Sequence, residues 1–534
     1  MSGSDLSQFL AAHTEVIQPL SRETNLAYWT ASISGKQSDF DRFTTLQLKI
    51  QNIYADTDDF EKIRKWRDDP RVSNPVERRQ VELLYADYLR NQIDPALNEE
   101  ITRLGSKLEN QFTTHRATLD GQTVTSNQIL EVMRESNDPD QKRRAWEAGK
   151  EVGPIVCDDL RKLVKLRNEA AESLGYDTFY TMSLELDEQN ETDIVRIFEE
   201  LDNLTREPFR RLKETIDDRV AERHSVDAAS IRPWHYDDLF FQEVPKVFGI
   251  DIDRFYRGRD ILEIVERYYS GLDLEVGDII ANSSLYEQPG KDQHAFCTDI
   301  DRNGDIRVLA NIKDDEMWAG TMLHELGHAV YDKYIDPGLP FLLRHQAHIF
   351  VTEAIAMMFG RLSKNADWLR GAVGISEDER ESVSDELFEH LRISQLIFAR
   401  WAQVMMNFER FLYKDPDQDL NDLWWGLVEK YQMVTRPDDR ESPDWATKTH
   451  VVSVPVYYHN YLLGELLASQ LTHHMRTELL PPDAGSRFLG HPEVGAYLKE
   501  MVFKPGARFR WSKLVERATG ERLTAKYFAE EFIS

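Results

Sequence analysis

Apolar residues recur along most of this chain at spacings of three and four, and that period admits little but helix. Ile101, Leu104, Leu108 and Phe112 form one such stripe, which would bury one helix face against a neighbour. Similar segments cover about 5–32, 39–55, 74–92, 126–177 and 190–223. Turn signals such as Ser73-Asn74-Pro75 and Asn137-Asp138-Pro139 punctuate them. Arg206 to Arg223 is so polar that it reads as an exposed, charge-laced lid rather than core. One segment departs from helix. His294 to Ile300 and Asp305 to Asn311 are extended runs flanking Arg302-Asn303-Gly304, and Asn-Gly between two such runs signals a hairpin. The fold class is therefore mostly α, with a small β-ribbon just before the helix discussed next. The 534 residues are 41% hydrophobic and 10% aromatic, enough for a substantial core. With no repeat, low-complexity tract or clear linker, a single domain over 1–534 is the simplest organisation.

The feature richest in chemistry is His324-Glu325-Leu326-Gly327-His328, an HExxH motif. Histidines four apart project from one helix face. Zinc takes neutral imidazoles at about 2 Å, and a glutamate one residue along can reach a metal-bound water as general base. Asp314 or Asp315 can cap this helix, and Pro337-Gly338 ends it. Met322, Leu323, Leu326, Ala329 and Val330 make it largely apolar, so the motif's polar groups would sit in a buried setting, where charge needs a partner or a metal. The bland alternative is a surface helix that happens to carry two histidines.

A third ligand is required. The helical segment Leu339 to Leu362 contains Glu353, a lone carboxylate within the apolar run Ile349 to Phe359. Zinc coordination would resolve the cost of burying it; an ion pair with a buried Arg or Lys is the alternative. His345 and His348 are rival ligands nearer the preceding turn. One Zn2+ per chain follows. Near the C-terminus, Lys448, Thr449, His450, Tyr457, Tyr458, His459, Asn460 and Tyr461 crowd donor groups into fourteen residues. Peptide hydrolysis needs such donors at its oxyanion, although Tyr458, Tyr461 and Leu462 also have the spacing of a packed helical stripe.

Composition narrows the partners. The net charge of -29 repels phosphate backbones and anionic lipid, so nucleic acid is not expected as a partner. Cys157 and Cys297 match no zinc or redox spacing and fit a reduced compartment. The N-terminus carries no signal-peptide pattern and no apolar run approaches a membrane span, so a cytoplasmic location without membrane association is expected. Oligomeric state is not readable.

Several motifs in one order resemble the angiotensin-converting enzyme family of zinc dipeptidyl carboxypeptidases. They include Gln293-His294-Ala295, Asp305 to Arg307, the HExxH through Glu353-Ala354-Ile355, Trp424-Trp425 to Gln432, Lys448-x-His450, Val454-Pro455 and Tyr458-x-x-Tyr461. Arg143 to Glu147, Leu166 to Ala171 and, weakly, Asn25 to Trp29 extend the resemblance upstream. It implies an α-helical ellipsoid with a deep central cleft, lid helices over about 1–120 and a zinc-site core over about 290–475. His324, His328 and Glu353 would bind zinc, with Glu325 as general base and proton shuttle. Tyr461 would stabilise the oxyanion, assisted by His450. Lys448, Tyr458 and Gln242 would hold the substrate's terminal carboxylate. His294, with the backbones of Ala295 and Cys297, would pair with a short peptide substrate as an added strand.

Three positions depart from the family. Its arginines at chloride sites are replaced by Val428 and Asn460, so chloride dependence is expected to be weak or absent. The Asp four residues after the glutamate ligand is Met357, so a different group must orient the ligands. The interval from His328 to Glu353 also suits the related thimet oligopeptidase and oligoendopeptidase F group. The leading expectation is a zinc peptidyl-dipeptidase. The alternatives are an oligoendopeptidase with the same zinc chemistry and a non-catalytic peptide-binding protein on this fold.

Overall fold

The computed structural model describes residues 3–481 and 488–533. The chain is mostly α-helical, and the strands among the described residues form two small antiparallel pairs: β1 (Ala117–Leu119) with β2 (Gln122–Val124), and β3 (Phe296–Asp299) with β4 (Ile306–Leu309). It forms two compact units, each assembled from separated stretches. The first comprises Met1–Gln92, Asp251–Phe388 and Leu463–Thr524; the second comprises Ile93–Ile250, Glu389–Leu462 and Ala525–Ser534. The expected lid span is thus divided, with residues up to Gln92 in the first unit and those from Ile93 in the second.

The helices begin where the turn signals put them. Asn74 accepts a hydrogen bond from the Val76 N–H, and Pro75 opens the helix Pro75–Arg90, a position where its missing N–H costs nothing. Asp138 caps Pro139–Gly149 in the same way. That cap separates Ser126–Glu135 from Pro139–Gly149, and a second break at Lys150-Glu151 precedes Val152–Ser173, so the expected 126–177 segment is three helices. The polar stretch Arg206 to Arg223 is not an exposed lid. It belongs to the helix Glu191–His224, which buries Phe209, Leu212, Ile216 and Val220 on one face and leaves most of its charges on the other, Lys213 being buried and paired with Asp217. Strand β1 turns into β2 at Asp120-Gly121, both with positive φ. That Asp-Gly signal is as plain as the one at Asn303-Gly304, but the run on each side is only three residues.

In the first unit, the motif helix Glu316–Lys333 packs against Ile349–Gly360. Met322, Leu323, Leu326, Ala329 and Val330 are all completely buried, as their spacing requires. The close approach depends on Gly327, where a Cβ would stand 2.8 Å from the Ala356 Cα. From Leu463 onward the helix His459–Glu478 lies against Ile349–Gly360. A Cβ on Gly464 would come within 3.1 Å of the Glu353 Cβ, and Arg361 bonds to Glu465.

The β3–β4 hairpin packs on the motif helix. Its connection is longer than a two-residue turn: Ile300 N–H donates to Asp305 O, with Arg302 and Gly304 at positive φ. The N-terminal helix Gly3–Ser34 braces it. Asn25 Nδ2 donates to the carbonyls of Asp299 and Ile300, and Trp29 packs with Ile300 and Leu309.

Candidate metal centre and substrate groups

Asp315 caps the motif helix, accepting from Trp318 N at 2.9 Å; Asp314 instead accepts from Gly258 N. The helix ends at Lys333, before Pro337-Gly338. His324 and His328 therefore lie one turn apart, with their Nε2 atoms 3.2 Å apart. Glu353 Oε2 is 3.6 Å from His324 Nε2 and 3.9 Å from His328 Nε2. Among the described residues, these three form a group able to hold a metal ion, with donor atoms all within 4.8 Å of one another. A tetrahedral zinc site with bonds of 2.0–2.2 Å separates its donors by roughly 3.3–3.6 Å. The donor set and its spacing therefore fit a zinc ion, and the His324 side chain keeps 30% of its surface open to solvent.

The electrostatics suit the same purpose. Burial pushes His324 down to about 4, and His328 is held well below its usual value by burial and then by the His324 charge. Both imidazoles are thus neutral, the form that ligates. His328 Nδ1 is 2.7 Å from Thr352 Oγ1, a contact that fixes which ring nitrogen faces Glu353. Thr352 is the orienting group that sequence reasoning missed. Burial, with the Glu353 carboxylate beside it, pushes Glu325 up to about 8, offset in part by a hydrogen bond from the Cys297 backbone. That bond brings strand β3 alongside the motif helix. His294 is almost fully exposed, 3.3 Å from Asp292, while Ala295 and Cys297 are half-buried. The rival ligands stand apart. His348 is the N-cap of Ile349–Gly360, accepting from Phe350 N, and His345 is bonded to Gln346 O. The expected helix over 339–362 is a short 3-10 turn, Phe341–Leu343, followed by Ile349–Gly360.

The other expected residues lie in the second unit. Lys448 Nζ is 3.0 Å from Gln242 Oε1 and sits over the rings of Phe240, Trp401 and Tyr458. No carboxylate lies within ion-pair distance of it among the described residues, and burial lowers it to about 8. Gln242 is held by Asp238, whose buried carboxylate accepts from the backbone N–H groups of Phe240, Gln242 and Glu243. Tyr458 Oη accepts from Trp401 Nε1 at 2.6 Å, which leaves the phenol's own proton to donate. His450 stacks edge-on with Tyr458, and Tyr458 with Tyr461. His450 Nδ1 is buried with no hydrogen-bond partner among the described residues, and burial, then the Lys448 charge, lowers His450 to about 4. Cys157 and Cys297 are both free thiols. No helix among the described residues is long and apolar enough to cross a membrane.

The family model described as angiotensin-converting enzyme matches residues 2–222 and 250–532. The matched stretches omit 223–249, which include Gln242. Carboxypeptidase 1 of Bacillus subtilis (strain 168) is 24% identical over 263 residues, covering 44% of this chain. The chain spans about half, 51%, of the length of that relative. With most of its length matched, the chain belongs to the angiotensin-converting enzyme family.

Proposed function

We propose that this protein is a zinc-dependent peptidase that releases dipeptides from the carboxyl end of short peptides. The observation that carries the exopeptidase reading is Lys448: a largely buried ammonium with no carboxylate within ion-pair distance among the described residues, beside Gln242 and Tyr458. Asp238 and Glu243 act on it only from beyond that distance; a buried charge without a close counter-charge is costly, and a substrate's terminal carboxylate would supply one. His324, His328 and Glu353 would hold the metal; when bound, zinc supplies Lewis acidity. Glu325 takes a proton from the attacking water and delivers it to the leaving amine. Tyr461 donates to the developing oxyanion, with His450 assisting. Tyr458 and Gln242 share the carboxylate with Lys448, and His294, Ala295 and Cys297 align the peptide backbone along β3.

A second reading, release of single residues, is favoured by the similarity to the Bacillus subtilis protein, a carboxypeptidase by name. Mass spectrometry of the products from short peptides separates these readings from internal cleavage by an oligoendopeptidase. The expected products are dipeptides from the carboxyl end, with activity falling by about 100-fold when that end is amidated, since a charge-assisted contact of about 3 kcal/mol is lost. Single-residue products would replace the dipeptidase assignment, and internal cuts indifferent to amidation would sink both. Glu325→Gln is expected to abolish turnover while zinc, measured by elemental analysis, stays bound. Unchanged turnover would remove Glu325 from the chemistry.

A further inference from the structure

The chain entering the helix His459–Glu478 makes an unusual turn. Val456 has φ +55, a left-handed backbone that a β-branched residue adopts only under constraint. Two buried side chains supply that constraint within the second unit. Val456 N–H donates to Glu409 Oε1 at 2.6 Å. Upstream, Arg167 donates to the carbonyls of Val451 and Val452 at 2.9 and 2.7 Å. Glu409 is 3% exposed and has no cation within ion-pair distance among the described residues, a costly placement for a carboxyl group. Val456 stands two residues before Tyr458 and five before Tyr461. Beyond the turn the helix start is pinned again, since Gln189 donates to Asn460 Oδ1 and accepts from His459 Nε2, both at 2.7 Å.

We propose that Glu409 is a positioning residue for the reaction: by holding Val456 in its left-handed conformation, it sets the direction in which Tyr458 and Tyr461 point. This rests on the reading that those tyrosines serve catalysis and carboxylate binding. A filler of the core would need no acceptor at this spot, whereas a hold on Val456 makes two demands. The acceptor must remain, and the hold becomes dispensable if residue 456 tolerates positive φ unaided, as glycine does.

The test uses the zinc-loaded enzyme and a fluorogenic peptide with a free carboxyl terminus. Glu409→Leu is expected to lower kcat by about 100-fold, the effect of a displacement of about 1 Å in a reacting group, with zinc content unchanged. Glu409→Gln, which keeps an acceptor oxygen, should stay within about fivefold of the parent. Adding Val456→Gly to Glu409→Leu should recover about tenfold or more. If Glu409→Leu does not fold, recovery of folded protein by Val456→Gly supports the hold, and failure to recover overturns it. The proposal is also overturned if Glu409→Leu keeps its kcat, or loses it and glycine restores nothing. Tyr461→Phe, run in parallel, reports on the underlying reading. A large kcat loss there beside a silent Glu409→Leu removes only the positioning role; a silent Tyr461→Phe removes both.

Discussion

Single residues carry the proposed metal chemistry, and they differ in how openly the sequence displayed them. His324 and His328 were legible because four residues make one helical turn. Glu353 was legible as a lone carboxylate in an apolar run. Thr352 was not, because nothing in its neighbours announces that its hydroxyl reaches a histidine 24 positions away. Its contact with His328 Nδ1 answers the question raised by Met357, where the family carries an aspartate. Thr352→Val is expected to weaken zinc affinity by about 10- to 100-fold, as loss of a group that orients a ligand typically does. Competition against a chelator of known affinity measures it. An unchanged affinity would show that His328 needs no such support.

Elements set the distances between those residues. The motif helix and Ile349–Gly360 come close enough to bring Glu353 beside His324 and His328 because Gly327 presents no side chain to Ala356. Gly327→Ala would put a Cβ against backbone, which cannot swing aside as a flexible side chain can. The expected cost is about 1–3 kcal/mol of stability, read in urea unfolding, together with weaker zinc binding as Glu353 moves off the histidines. Unaltered stability would mean that the helices separate freely. The hairpin beside them is fixed in a comparable way. Lys291, buried, donates to the carbonyls of Ser284, Tyr286 and Ala310, which anchors the segment leading into β3. The Asn303-Gly304 signal located this hairpin correctly, while Arg302 at positive φ lengthened its turn.

For the whole molecule, buried carboxyl groups link stability to pH. Burial pushes Glu409 from 4.5 up to about 7, so folding favours its protonated form. A raised carboxyl value contributes stability that is complete below about 4.5 and is lost as pH rises through about 7. The loss is on the order of 3 kcal/mol. Unfolding free energy should therefore fall across that window more steeply in the parent than in Glu409→Gln, which has no proton to lose. Parallel urea titrations at pH 5, 6 and 7.5 test this, and identical slopes would contradict the raised value. The net charge of -29 adds repulsion that also grows as carboxylates ionise, but both proteins share it apart from the one group.

The sequence by itself determined what depends on local period and spacing: the mostly helical class, the breaks at Asn74-Pro75 and Asp138-Pro139, the hairpin before the motif helix, and the three donors that the fold draws together. Those features follow from the 3.6-residue turn and the chemistry of single side chains. Only the tertiary structure decided which distant groups meet. Lys448 finds Gln242 206 positions away, Glu409 holds Val456, Arg206 to Arg223 turns one face inward, and Thr352 reaches His328. Such pairs depend on how helices cross and how closely they approach, which small residues and buried polar contacts set and which no one-dimensional period encodes.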